Sequence, residues 1–271
     1  MGDHNLPTGV APMELWELEK FLEKAIEESR KVINLSHRGL TIVTGRLAGA
    51  VNARNLLLNH NKLLMPPQEM CSLTNLTELV LDNNMLTMIP SGIGQLSKLR
   101  VLSVSHNPLV AIPEDVANLT SLQSLWLTNC QLSSVPSSLG QIKSLRKLGL
   151  RSNELCLIPE ELCNLQNLQW LSMDDNLIKD LPTGIGGWVE LLYLSLNSNR
   201  FEEVPLTLQN LPSLVSLHMR RNNINSLPDD TIVALSFLYC LDVRENGIIQ
   251  RPVEWKGLDF IVTGSDYEEE S

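Results

Sequence analysis

The chain has 271 residues, 43 % hydrophobic but only 4 % aromatic, so it can bury a large core and that core must be aliphatic. Its formal net charge of −10 sets it against phosphate backbones and anionic lipid, and no nucleic-acid or membrane-surface role is expected. Five cysteines, an odd number with no C-x-x-C pair and no Cys/His cluster at metal spacing, predict reduced thiols in the core and neither metal nor cofactor.

In chain order, residues 1–12 lack the basic and apolar runs of a secretory signal and are expected to be disordered. Gly2 follows Met1, but Leu6 stands where a myristoylation motif needs Ser or Thr. There is no run of about 18 apolar residues, so no membrane insertion is expected, and the localisation predicted is cytoplasmic. Residues 13–30 read as an amphipathic cap helix. Leu15, Leu18, Leu22, Ala25 and Ile26 share its apolar face, with Trp16 and Phe21 beside it.

Residues 31–255 repeat with a period of 23 on the template L-x-x-L-x-L-x-x-N-x-L-x-x-[ILV]-P-x-x-[ILV]-x-x-L. The asparagine slot holds Asn61, Asn84, Asn107, Cys130, Asn153, Asn176, Asn199 and Asn222, then Asn246 one residue late, after an insertion near Asp229 and Asp230. Counted backwards, the slot falls on Arg38, which makes about ten repeats with a degenerate first one. L-x-L alternates as a short strand does, so the strands should stack as a parallel sheet. The asparagine amides are expected to form a structural ladder, pairing backbone groups of the next coil; a thiol does this weakly. Pro67, Pro90, Pro113, Pro136, Pro159, Pro182, Pro205 and Pro228 fix φ where a helical or 3₁₀ convex segment begins. Ile93, Val116, Leu139, Leu162, Ile185 and Leu208 then belong to the core. The predicted fold is an α/β leucine-rich-repeat solenoid, a horseshoe with a concave sheet.

The L-P-x-x-I-x-x-L unit resembles the intracellular Ras-group leucine-rich repeats over about Val32 to Asn246. Glu27 to Arg30, followed by Leu35-Ser36-His37-Arg38-Gly39-Leu40, is similar to the start of the repeats in Ras-suppressor-type proteins. The resemblance implies scaffolding or regulation in small-GTPase, phosphatase or adhesion signalling. After Asn246 the template fails. Pro252, Trp255, Leu258, Phe260 and Ile261 are expected to close the last coil, and residues 256–271 to form a cap remnant and an acidic tail, disordered from Ser265 onward.

In each L-x-x-L-x-L-x-x-N segment the third, fifth, seventh and eighth positions should face the concave side, free of the demands of the fold. They place two signals there. Trp126, Trp170 and Tyr193 are large aromatics in a chain poor in them, and such residues dominate binding hot spots. Lys147, Arg151, His218, Arg220, Arg221 and Arg244 are basic on an acidic chain, with Asp174, Asp175, Asp242 and Glu245 nearby. They could pair among themselves or dock an acidic partner segment. His37, His60 and His106 share a column, but Asn83 interrupts it, against a metal site. No nucleotide-binding, metalloprotease, nucleophile-elbow or kinase motif is present. Asp174 and Asp175 lack the enclosure that tunes an acid/base pair. The reading is a non-enzymatic scaffold or regulatory subunit, monomeric by itself, that binds another protein. The alternative is a ligand-sensing or immune-type recognition protein.

Overall fold

One coil of this sequence presents its leucines on one side only, so it becomes stable by lying against the next. The computed structural model describes residues 12–248 and 255–264. Its contacts divide into two compact units, residues 1–131 and 132–271.

The first unit opens with α1 (Leu15–Glu27), then β1 (Val32–Asn34), β2 (Asn55–Leu57), β3 (Glu78–Val80), β4 (Val101–Ser103) and β5 (Ser124–Trp126). The strands pair in parallel in chain order, with Val32 opposite Asn55, Asn55 opposite Glu78, Glu78 opposite Val101 and Val101 opposite Ser124. Each strand spans three residues, and its central Ile33, Leu56, Leu79, Leu102 or Leu125 is fully buried. The Glu14 backbone N–H donates to Glu17 Oε2 at 3.0 Å, part of a capping box that starts α1. Only the stripe Leu18, Leu22 and Ala25 is buried. Leu15 and Trp16 remain exposed, contrary to the face expected from spacing, because they lie in a first turn that this stripe leaves outside the contact. Ile26 packs on Gly49 of the first convex turn, and Arg46 pairs with Glu19.

The second unit contains β6 (Lys147–Gly149), β7 (Trp170–Ser172), β8 (Tyr193–Ser195), β9 (Ser216–His218), β10 (Cys240–Asp242) and β11 (Ile261–Val262), again parallel in chain order. β11 is a strand the repeat template did not predict. Its Ile261 is buried, as is Trp255. Pro252 and the acidic tail lie outside the described residues, as do residues 1–11.

The convex segments are 3₁₀ turns such as Glu114–Asn118 and Glu160–Asn164. The exception is α2 (Asp229–Ala234), where the inserted residue supplies the length for an α-helical turn. Ile93, Val116, Leu139, Leu162, Ile185 and Leu208 are fully buried beneath these segments. Neighbouring turns approach backbone to backbone. A Cβ at Gly140 would stand 2.0 Å from the Glu161 carbonyl oxygen. Trp188 fills a final leucine slot, and its Nε1 donates to the Leu162 carbonyl at 2.8 Å.

The asparagines tie each coil to the one before it, not to the next as the sequence suggested. Asn107 Nδ2 donates to the carbonyls of Leu81 at 3.0 Å and Val104 at 2.9 Å, and its Oδ1 accepts from the Leu86 N–H at 3.0 Å. The groups left unpaired at this level belong to the coil already laid down, so the amide turns back to them. Asn61, Asn84, Asn176, Asn199, Asn222 and Asn246 repeat the pattern, and Asn153 accepts from Leu132 and donates to Leu150. At Cys130 the thiol lies 3.4 Å from the Val104 carbonyl and 3.5 Å from that of Thr128, longer than the amide bonds of the ladder. The Leu109 N–H bonds the Asn107 carbonyl at 2.8 Å instead. Burial pushes the Cys130 thiol up to about 12, and those of Cys71 and Cys163 to about 11. All five cysteines are free; Cys156 is exposed and Cys240 half-buried, so the expectation of core thiols holds for three.

Candidate functional site

The sheet's outer face is built from the same four columns, and two of them carry structural duties the sequence reading did not assign. The seventh position braces the next coil. Asp82 Oδ1 accepts from Ser103 Oγ and the Ser105 N–H, both at 2.7 Å. Asp174 Oδ1 accepts from Ser195 Oγ at 2.6 Å and the Asn197 N–H at 2.8 Å. Asn197 Oδ1 accepts from the Arg220 N–H at 2.8 Å. These side chains hold the strand spacing and are not free for a ligand to claim.

The eighth position is left-handed in every coil, with φ between 52° and 58° from His37 through Glu245. Asn, Asp and His tolerate that region better than other side-chain-bearing residues. The histidine column therefore follows from backbone conformation. His37 and His60 stack with ring centroids 4.2 Å apart. No group of three or more His, Cys, Asp or Glu among the described residues is placed to hold a metal ion. The fifth position is partly closed as well, since Ser103, Gly149, Ser172, Ser195 and Asp242 are buried.

The third position carries the most distinctive feature. Trp170 on β7 and Tyr193 on β8 stack with centroids 5.7 Å apart and planes 4° from parallel. Tyr193 meets His218 on β9 at 5.0 Å, tilted by 37°. The three rings form one continuous apolar-edged ridge across adjacent strands, half-buried by mutual contact instead of fully solvent-facing. Trp126 stands on β5 in the first unit, half-buried, and Lys147 is exposed on β6.

Beside the ridge lies a polar hollow of about 310 Å³ lined by Arg151, Asp174, Asp175, Asn197, Ser198, Arg220 and Arg221. Arg151 Nε pairs with Asp175 Oδ2 at 2.9 Å. On the next strands Asp242 gathers two arginines and a histidine. Arg244 clamps it with Nε to Oδ1 at 3.0 Å and Nη2 to Oδ2 at 2.8 Å, while His218 Nδ1 stands 3.8 Å and Arg220 Nε 3.9 Å from Oδ2. Burial alone would raise the Asp242 carboxyl. The His218 imidazole and Arg244 guanidinium more than offset this and hold it well below the usual carboxylate range. Part of the basic cluster thus pairs internally, as one of the two sequence readings had it. Asp242 was named there only as a neighbour; its burial, which makes it the hub, came from stacking. Asp174 and Asp175 are held by Ser195, Asn197 and Arg151.

With this geometry in view, the comparisons are specific. Residues 44–154 match the family model described as a leucine-rich repeat region, and 144–165 match the Leucine Rich Repeat model. Over residues 44–165 the repeats thus match leucine-rich repeats. Among solved structures, the chain is similar to an LRR protein of Leptospira interrogans at 28 % identity and TM-score 0.75, covering 89 % of this chain and 68 % of that one. It is also similar to the Arabidopsis receptor kinase HAESA, solved with the peptide hormone IDA and the co-receptor SERK1, at 25 % identity and TM-score 0.68, covering 81 % of this chain. The plant peptide hormone receptor RGFR1, in complex with RGF2, gives 25 % and 0.66 over 83 % of this chain. The chain spans only 39 % and 42 % of those two receptor chains. No curated protein matches it. No helix among the described residues is long and apolar enough to cross a membrane.

Proposed function

We propose that this protein is a non-catalytic binding module that receives an extended polypeptide segment on the outer sheet face of its second unit. The observation that carries this reading is the Trp170–Tyr193–His218 ridge running alongside the hollow of Arg151, Arg220 and Arg221. A rigid aromatic ridge supplies contact area at low entropic loss, and guanidinium groups beside it orient carboxylates or backbone carbonyls. Lys147 at one end and Arg244 at the other extend the basic rim. The 23-residue L-P-x-x-I-x-x-L unit favours a place in intracellular signalling, with a small-GTPase, phosphatase or adhesion partner. The peptide hormones bound by the structurally similar plant receptors favour a ligand-sensing reading, in which the segment is a free peptide.

Both readings use one surface, so one experiment tests it. Partners or peptides captured from a displayed peptide library by the wild-type chain are compared with those of a Trp170→Ala/Tyr193→Ala variant of equal melting behaviour. Loss of a defined set assigns the ridge as the site, and recovery of the same set from the variant overturns it.

A further inference from the structure

The chain leaves the sheet at the first, third and fourth residues after each asparagine slot, and most of these are exposed among the described residues. In the first unit six of them are large and apolar, alongside the polar Thr41, Lys62 and Thr87. Ile42, Leu64, Met65, Met85, Met88 and Val110 are all exposed, from 46 % at Met88 to 81 % at Val110. They lie on coils stacked directly against one another. Met88 bridges Ala111 in parallel, the Val110 N–H donates to the Thr87 carbonyl at 2.9 Å, and the Met85 N–H to that of Leu63 at 3.0 Å. The result is a lateral strip across four consecutive coils. In the second unit the described third and fourth positions read Ser133, Ser134, Cys156, Leu157, Lys179, Asp180, Glu202, Glu203, Asn225 and Ser226, apolar in one coil alone, and Leu177 at the first position is half-buried. The fold therefore does not require apolar residues there.

We infer that this strip is a self-association surface, on which a second copy of the chain packs its own strip. The six side chains expose on the order of 700 Å², above the ~300–600 Å² of the largest patch on a typical monomer and near the ~800 Å² per partner of a standard interface. Charge also favours a like partner here. Residues 1–131 contain 12 acidic and 10 basic residues, while 132–271 contain 19 and 11. Two copies meeting through their first units bring together the nearly neutral halves and none of the excess acid. Four of the six side chains that cluster there are unbranched Met or flexible Leu, which interdigitate with a copy of themselves without a preformed pocket. A two-fold arrangement sets Ile42 and Met65 of one copy against Val110 and Met88 of the other, closing the assembly at a dimer. This departs from the monomer expected from sequence, where these positions carry no repeat signature.

The test is sedimentation of the full chain over a concentration series. The wild type is expected to pass from monomer to dimer. A Met88→Glu/Val110→Glu variant of unchanged circular dichroism should associate at least ~100-fold more weakly, since a carboxylate buried without a partner is strongly disfavoured. Lys179→Ala/Glu203→Ala, the same columns in the second unit, and Trp170→Ala/Tyr193→Ala should both dimerise like wild type. A wild-type chain that stays monomeric throughout, or a glutamate variant that dimerises normally, overturns the inference and leaves the strip to another occupant.

Discussion

The two units are made from one template and diverge only where the template is silent. In the first, the columns flanking the asparagine carry Met, Leu, Ile and Val, and the sheet face is mostly small or polar, with Trp126 its one aromatic anchor. In the second, the flanking columns are charged and the sheet face carries the aromatic ridge and the arginines. Leucines, asparagines and prolines recur in both because stacking demands them everywhere. The residues that differ lie where stacking makes no such demand.

The largest expected effect tests what the units share. Asn107→Ala in the first and Asn176→Ala in the second each orphan buried backbone groups on two coils and should destabilise by about 2–4 kcal/mol in urea unfolding. Equal losses in both would show that the ladder is indifferent to position. Next, Gly140→Ala should cost about 1–3 kcal/mol, because its Cβ meets the Glu161 carbonyl. Gly45→Ala in the first unit, whose nearest neighbour would be Glu69 Oε1 at 3.5 Å, should be within about 0.5 kcal/mol of wild type. A comparable loss at both would mean that the space around the added Cβ does not set the cost. Trp170→Ala should weaken partner binding by about 2 kcal/mol, and Trp126→Ala by less, measured by calorimetry with a captured ligand. The reverse order would move the site to the first unit. Cys130→Asn, restoring the ladder at its one gap, should add about 1 kcal/mol.

The smallest effect is in acid. Asp82 in the first unit is raised, chiefly by burial, against the opposing bonds from Ser103 and Ser105. Its ionised form is thus disfavoured in the fold, a penalty relieved as pH falls through its folded pKa. Asp242 in the second unit is lowered, so its contribution is present above the unfolded carboxylate value of about 3.9 and is lost as pH falls toward its folded pKa. Carboxyl titration by NMR should find Asp82 above and Asp242 below that value. Asp242→Asn should then flatten the acid limb of the stability curve, and a carboxyl order reversed from this would break the contrast.

Much of the fold was legible in the sequence, because a 23-residue period states which side chains point inward regardless of what surrounds them. The buried Ile33, Leu56, Leu79 and Leu102 follow directly from it. The site was legible in outline. Trp170, Tyr193, Arg220 and Arg221 were identifiable as unusual residues at strand positions, but the seventh and eighth columns were taken as free when Asp82, Asp174 and Asn197 brace the next coil and the eighth residue is left-handed. The exposed apolar strip was invisible for a related reason: single apolar residues between template positions look incidental until stacking aligns them.

The sequence by itself determined the repeat, its core, its asparagine ladder and its proline turns, since each is a rule about one residue's direction in one coil. Only the tertiary structure decided that Tyr193 stacks on Trp170, that Asp242 becomes the hub of a cation cluster, and that Met88 and Val110 belong to one surface. Apart from the Arg244–Asp242 clamp, those are relations between residues some 20 or more positions apart. They depend on lateral register and on how far each coil is offset from the last, and no periodicity along the chain contains that distance.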